Sequence, residues 1–415
     1  MEGWSGQALR SWLVAALAEL LLLTGCVEQA QLKGAAPGAA GSGAGSGVPD
    51  DGVHPEAISR TEVFWFGDAQ VELTVYVGPV VRSRSSGALP LRFEVTGGQA
   101  GAGVELVDLL GTPDGDSVDA RLLDAGDLRV YEPMRLEGST PLTRFLDDAH
   151  VQAGGGAARW VGYFPMPRGH EGPMHVLLPY FGLVEGVHVD EGRLADVPGM
   201  EELLTDQIMT SEDFPLEQHS EPVDGGTEPP GVVGEYGDTV EVADPEGRHG
   251  SAAVRVEEVR RVGGVLVGRI FVQQTGDEGA PHGAGWAVHA GWASDASRND
   301  SAEPDAEDAP DAVPMRAADA PTLLVDGERV FPLAYNIAGR PEETQYMPLT
   351  DRMFGYEDLR GEGRSATATV IWPDVGGEVV TVDMPTSDAA DVEATGSAQP
   401  FRFTDVPVLT DASDL

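Results

Sequence analysis

Apolar and polar residues alternate strictly in Val71-Glu-Leu-Thr-Val-Tyr-Val77. A period of two puts Val71, Leu73, Val75 and Val77 on one face of an extended strand, and no helix would gather them on one side. Short alternating or apolar stretches recur at Leu89–Val95, Arg129–Tyr131, Val265–Val272, Ala366–Ile371 and Val379–Met384, bounded by Gly, Pro and Asp. Glu201–Met209 suits a short helix, and elsewhere no helical period of useful length occurs. Strands this short, separated by turn residues, predict an all-β chain built as two antiparallel sandwiches in tandem.

Those sandwiches must be held by packed cores, because Cys26 is the only cysteine and no disulfide can form. A hydrophobic content of 41% is enough for real cores. Cys26 itself closes a short apolar run, Ser11 to Leu23, that follows Arg10. The run suits a signal-peptide core and is short of the roughly 20 residues a membrane-spanning helix needs. Leu23-Thr24-Gly25-Cys26 resembles the lipobox of bacterial lipoproteins. The resemblance implies a thiol alkylated with diacylglycerol and cleavage just before Cys26. Two acyl chains give the lasting membrane attachment that one does not. The alternative is an ordinary signal peptide with Cys26 incidental.

Composition shifts divide the chain. The expected order is a signal peptide at 1–25, a flexible Gly/Ala/Ser tether at 26–58 and a first sandwich at 59–198. A proline-punctuated linker follows at 199–231, then a second sandwich at 232–409 with an acidic disordered insertion at 294–320, and a tail at 410–415.

The halves share motifs in the same order. Phe66-Gly67-Asp68 matches Tyr236-Gly237-Asp238, and Leu122-Leu-Asp124 with Arg129-Val-Tyr-Glu-Pro133 matches Leu323-Leu-Val325 with Arg329-Val-Phe-Pro332. Tyr163-Phe-Pro165 matches Ile371-Trp-Pro373, Gly186-Val-His-Val189 matches Val379-Val-Thr-Val382, and Ala195-Asp-Val-Pro198 matches Thr404-Asp-Val-Pro407. Motifs repeated on this scale suggest two duplicated domains.

Leu324 to Leu333 and Phe401 to Val408, with a looser copy at Leu123 to Pro133, resemble modules of actinobacterial envelope lipoproteins of the telokin-like extracellular type. That resemblance implies immunoglobulin-like sandwiches. Some such proteins carry a peptidoglycan-binding domain of outer-membrane-protein-A type. With this sequence ending at Leu415, attachment by that route is not expected.

The formal net charge of −43 argues against nucleic acid as a partner, since phosphate contacts and counterion release would be unfavourable. Met166-Pro-Arg-Gly-His170-Glu-Gly-Pro-Met174-His175 offers Met166, His170, Met174 and His175 as soft donors for copper. The plainer reading is a hairpin loop with Met174 packed inward. His188, on an apolar strand, reads as a packed or edge histidine. Trp286 and Trp292 share one face of a strand and suit either sugar stacking or a core. Asp114-Gly-Asp116-Ser-Val-Asp119 lacks an EF-hand pattern and reads as a turn. No nucleophile elbow, phosphate loop or zinc-protease motif occurs after Cys26.

The expected protein is therefore non-enzymatic, without a cofactor, and lipid-anchored on the extracytoplasmic face. Its expected partners are the membrane, through Cys26, and an envelope protein or cell-wall component. A carbohydrate- or copper-binding protein is the alternative, and an envelope hydrolase comes after it.

Overall fold

The computed structural model describes residues 53–410 apart from 67–68, 111–117, 137–140, 168–169, 171, 205–208, 211–212, 224–230, 244–250, 276–320, 337–345, 352–363 and 385–400. Among the described residues, each stretch read as a strand from its alternation lies in one, including Ala69–Val77, Val265–Gln274 and Ser365–Pro373. The protein is all-β with short helical turns.

In the first half, an outer sheet runs in the order Ile58–Phe66, Ala69–Val77, Ser86–Gly98, Ala158–Pro165 and Thr143–Phe145. An inner sheet runs Gly182–Val187, Met174–Leu178, Arg121–Asp124, Arg129–Tyr131 and Asp213–Pro215. The second half repeats both orders. Val240–Ala243, Ser251–Val262, Val265–Gln274 and Ser365–Pro373 pair in series, matching the first four strands of the first outer sheet, and a single bridge from Thr350 to Val370 stands where the fifth would pair. Phe401–Leu409, Val379–Met384, Thr322–Val325, Glu328–Val330 and Ser220–Pro222 match the first inner sheet.

A parallel contact completes each half. Val189 lies opposite Val80 in the first, and Val408 lies opposite Val259 in the second. The latter joins the second half's two sheets into one folded ten-stranded sheet.

Burial explains why several strands are apolar without alternation. Leu122, Val176 and Leu178 join the larger core, while their neighbours Leu123 and Leu177 join a separate cluster with Val262, Val265, Val267 and Ile371. The Arg121–Asp124 and Met174–Leu178 strands thus bury both faces, one against their own half and one against the other. Turn chemistry fixes the hairpins. Asp326 (φ 51°) and Gly327 (φ 85°) supply the two left-handed residues that a type I′ turn needs between Thr322–Val325 and Glu328–Val330.

The 199–231 stretch, expected as an open break, contributes edge strands to both halves. Asp213–Pro215 pairs with Arg129–Tyr131, and Ser220–Pro222 pairs with Glu328–Val330. Between them Glu217 and Ala334 exchange backbone hydrogen bonds, and His219 stacks on Phe331 at 5.0 Å. Of the helix expected at Glu201–Met209, Met200–Leu203 is helical and ends at an extended Leu204, 205–208 lie outside the described residues, and Met209 begins a two-residue strand.

Two of the motif matches hold in the pairing: the 122–133 hairpin against 323–332, and Tyr163–Pro165 against Ile371–Pro373. Three do not. Val379–Met384 takes the place of Met174–Leu178, not of Gly186–Val189. Ala195–Pro198 contains a 3-10 turn, whereas Thr404–Pro407 lies within a strand. Tyr236–Asp238 precedes Val240–Ala243, the counterpart of the strand that Phe66 ends.

The true partner of Gly186-Val-His-Val189 is Asp405-Val-Pro-Val408. Each follows a register shift, between Met174 and Val176 or between Val380 and Val382, and each starts from a left-handed residue, Gly186 (φ 69°) or Asp405 (φ 56°). An apolar alternation looks the same after any two-residue slip, so the pattern alone could not set this register.

Candidate functional site

The densest set of perturbed groups lies where the first half's inner sheet packs against the Ser251–Val262, Val265–Gln274 and Ser365–Pro373 strands of the second half. Its apolar part is Leu123, Val130, Leu177 and Leu183 from the first half against Val262, Val265, Val267, Leu333, Leu349 and Ile371 from the second. Close backbone approach matters here. A Cβ on Gly182 (φ 69°) would lie 2.3 Å from Thr369 Oγ1 of the other half.

Polar side chains cross the same seam. Arg121, only 3% exposed, donates from Nη2 to the Thr350 carbonyl at 3.0 Å and lies 3.4 Å from Asp119. Burial opposes its charge, but Asp119, Tyr335 and Glu132 outweigh that and hold the guanidinium charged. The Tyr335 hydroxyl donates to Glu132 Oε1 at 2.7 Å. Burial raises the Glu132 carboxyl above its usual range, and Asp119 adds to the rise.

At the other end of the seam Arg269 faces Glu62 at 3.4 Å, and Arg260 is paired with Glu185. Burial raises the Glu62 carboxyl and is only partly offset by Arg269. Asp351, 2% exposed, accepts the Thr369 N–H at 2.8 Å, yet burial pushes its carboxyl up to about 8.

Buried acids with raised carboxyls often mark catalysis, but structural networks produce them too. Arg121, Glu132, Glu62 and Glu185 each find a partner in the opposite half, so these groups lock the halves together. None was flagged in the sequence. The available signal was a charged residue inside an apolar strand, as with Arg121 before Leu122-Leu123, and Arg269 between Gly268 and Ile270.

The copper candidates have separate surroundings. Met166 and Met174 are buried in the larger core. Met174 and His175 are adjacent on a strand and point to opposite faces, and His175 Nδ1 accepts the Gly186 N–H at 3.3 Å. His170 Nδ1 lies 3.0 Å from Asp124 Oδ2, with both side chains nearly buried. Asp124 Oδ1 in turn accepts the N–H groups of Gly126 and Asp127 at 3.1 Å, so this pair braces the 124–129 turn. Cys26, Trp286 and Trp292 lie outside the described residues.

His188 is not packed. Its side chain is 63% exposed, with Nε2 3.2 Å from Asp190 Oδ1, while its carbonyl accepts the Val80 N–H at 2.8 Å. Among the described residues no helix is long and apolar enough to cross a membrane. No family model matches the chain, and no curated protein or solved structure matches it either.

Proposed function

We propose that this chain is a lipid-anchored protein of the cell envelope, attached through a diacylglyceryl group on Cys26. Its two immunoglobulin-like sandwiches, products of a duplication, act together as a non-enzymatic interaction or scaffold unit on the extracytoplasmic face. The observation that carries the scaffold part is the repeated strand order fastened by one buried seam. A pair of sandwiches joined that way holds its remaining exposed faces at a fixed spacing for an envelope protein or cell-wall component. Support for the anchor comes from Leu23-Thr24-Gly25-Cys26 after an apolar run, followed by the Gly/Ala/Ser tether.

Metabolic labelling with a clickable fatty acid tests the anchor. Wild type should take up the label and Cys26→Ser should not, and equal labelling of the two would refute it. Photo-crosslinkers at Val63 and Val379, exposed at 45% and 53%, test the interaction role in cells. A discrete adduct is expected from at least one position, and no adduct from either contradicts the scaffold reading.

A further inference from the structure

Three histidines among the described residues face a carboxylate: His150 with Glu105, His170 with Asp124, and His188 with Asp190. The last gains a third donor. Glu56 brings a carboxylate oxygen so that its ligand atom and those of His188 and Asp190 all lie within 4.8 Å of one another.

Sheet pairing explains why residues so distant in sequence meet. Ile58 opens its strand opposite Val77, so the residues just before it lie beside the bend at Gly78-Pro79. The next strand, Val80–Ser83, starts from that bend and pairs in parallel with Val189–Glu191, which brings His188 and Asp190 to the same corner. The backbone is held on both sides. His54 accepts the Ala57 N–H through its carbonyl at 2.9 Å and the Glu56 N–H through Nδ1 at 3.2 Å.

We propose that Glu56, His188 and Asp190 form a binding site for a borderline divalent cation of the Zn2+ class. One imidazole nitrogen and two carboxylate oxygens make a donor set suited to zinc, with water completing the tetrahedron. Ligands about 2.0–2.2 Å from a tetrahedral ion stand roughly 3.3–3.5 Å apart, and the His188–Asp190 pair is already near that spacing. The imidazole favours zinc over Ca2+ or Mg2+, which take oxygen ligands. The two other histidine pairs lack a third donor of this kind among the described residues, so the proposal concerns this corner alone.

A bound ion would staple the chain segment entering the first half to the edge strand that closes that half. This site does not depend on the lipid anchor, and it is separate from the Met166–His175 stretch.

The test is calorimetric titration of the full chain, stripped with EDTA, with Zn2+, and the same titration of Glu56→Gln, His188→Ala and the control His150→Ala. One saturable site at micromolar Zn2+ is expected, weakened about tenfold or more by Glu56→Gln and by His188→Ala and unchanged by His150→Ala. Zn2+ should also raise the thermal midpoint of wild type and of the control, but not of the two site variants, because only the folded corner gathers the ligands. Absence of saturable binding, or binding that neither site substitution weakens, would overturn the proposal.

Discussion

The two halves reach the same strand order with different local chemistry. The first half closes its Arg121–Asp124 hairpin with left-handed Leu128 (φ 49°) and a side chain: Asp124 bridges to two turn amides and is backed by nearly buried His170. The second half closes the equivalent hairpin with Asp326-Gly327 in the left-handed region. The bulge that sends the last strand to its parallel partner is built on Gly186 in one half and Asp405 in the other. Strand order is therefore the shared property, and each turn has its own solution. The seam is where buried polar groups of the two halves constrain each other. There an Arg, two buried acids and a Tyr take positions that an isolated sandwich would give to apolar or solvated residues.

Breaking that seam should have the largest effect. Arg121→Ala leaves Glu132 and Asp119 without their cation and should cost about 3–5 kcal/mol in urea unfolding, as loss of one partner of a buried pair does. An Arg121→Ala protein as stable as wild type would show that the seam holds nothing.

Acidity gives the next largest effect. The carboxyl of Asp351 is raised in the folded state, so its stabilising proton is fully present below about pH 4, the unfolded value, and is lost as pH rises through about 8. Stability should therefore fall by roughly 2–4 kcal/mol between pH 5 and 8 from this group. Glu132 and Glu62, also raised, push in the same direction. Asp351→Asn should flatten the profile without a loss at pH 5, and an unchanged slope would exclude Asp351 as its source.

Gly182→Ala should cost about 2 kcal/mol, because a left-handed φ and the nearby Thr369 hydroxyl both resist a Cβ. The smallest contrast lies in the bulges. Gly186→Ala should cost about 1 kcal/mol from backbone strain alone, since nothing lies within 4 Å of its Cβ position. Asp405→Gly should be neutral or slightly stabilising. Equal costs at both sites would mean that the bulges are not equivalent.

Much of the strand content was legible because Val71–Val77 and its kin carry a period of two. The hairpin repeat was legible as well, because Leu122–Pro133 and Leu323–Pro332 keep both strands and the turn in order. Register was not. Gly186-Val-His-Val189 looks equally good against Val379–Val382 or Asp405–Val408, and only the left-handed residue that starts the true pair separates them. The strap at 213–222 was hidden by its prolines, which read as a break; Pro215 and Pro222 sit on edge strands, where an N–H is dispensable. The candidate metal corner escaped because Glu56 was assigned to the tether and His188 to a packed or edge strand. Their meeting is a product of sheet topology.

Native-state hydrogen exchange in increasing urea tests most directly whether the halves form one cooperative body. Amides of Arg121–Asp124 and Met174–Leu178 in the first half and of Val265–Gln274 and Ser365–Pro373 in the second should merge into one isotherm, with a common free energy and slope. Two separate isotherms, with one half opening at lower free energy while the other stays protected, would contradict the account.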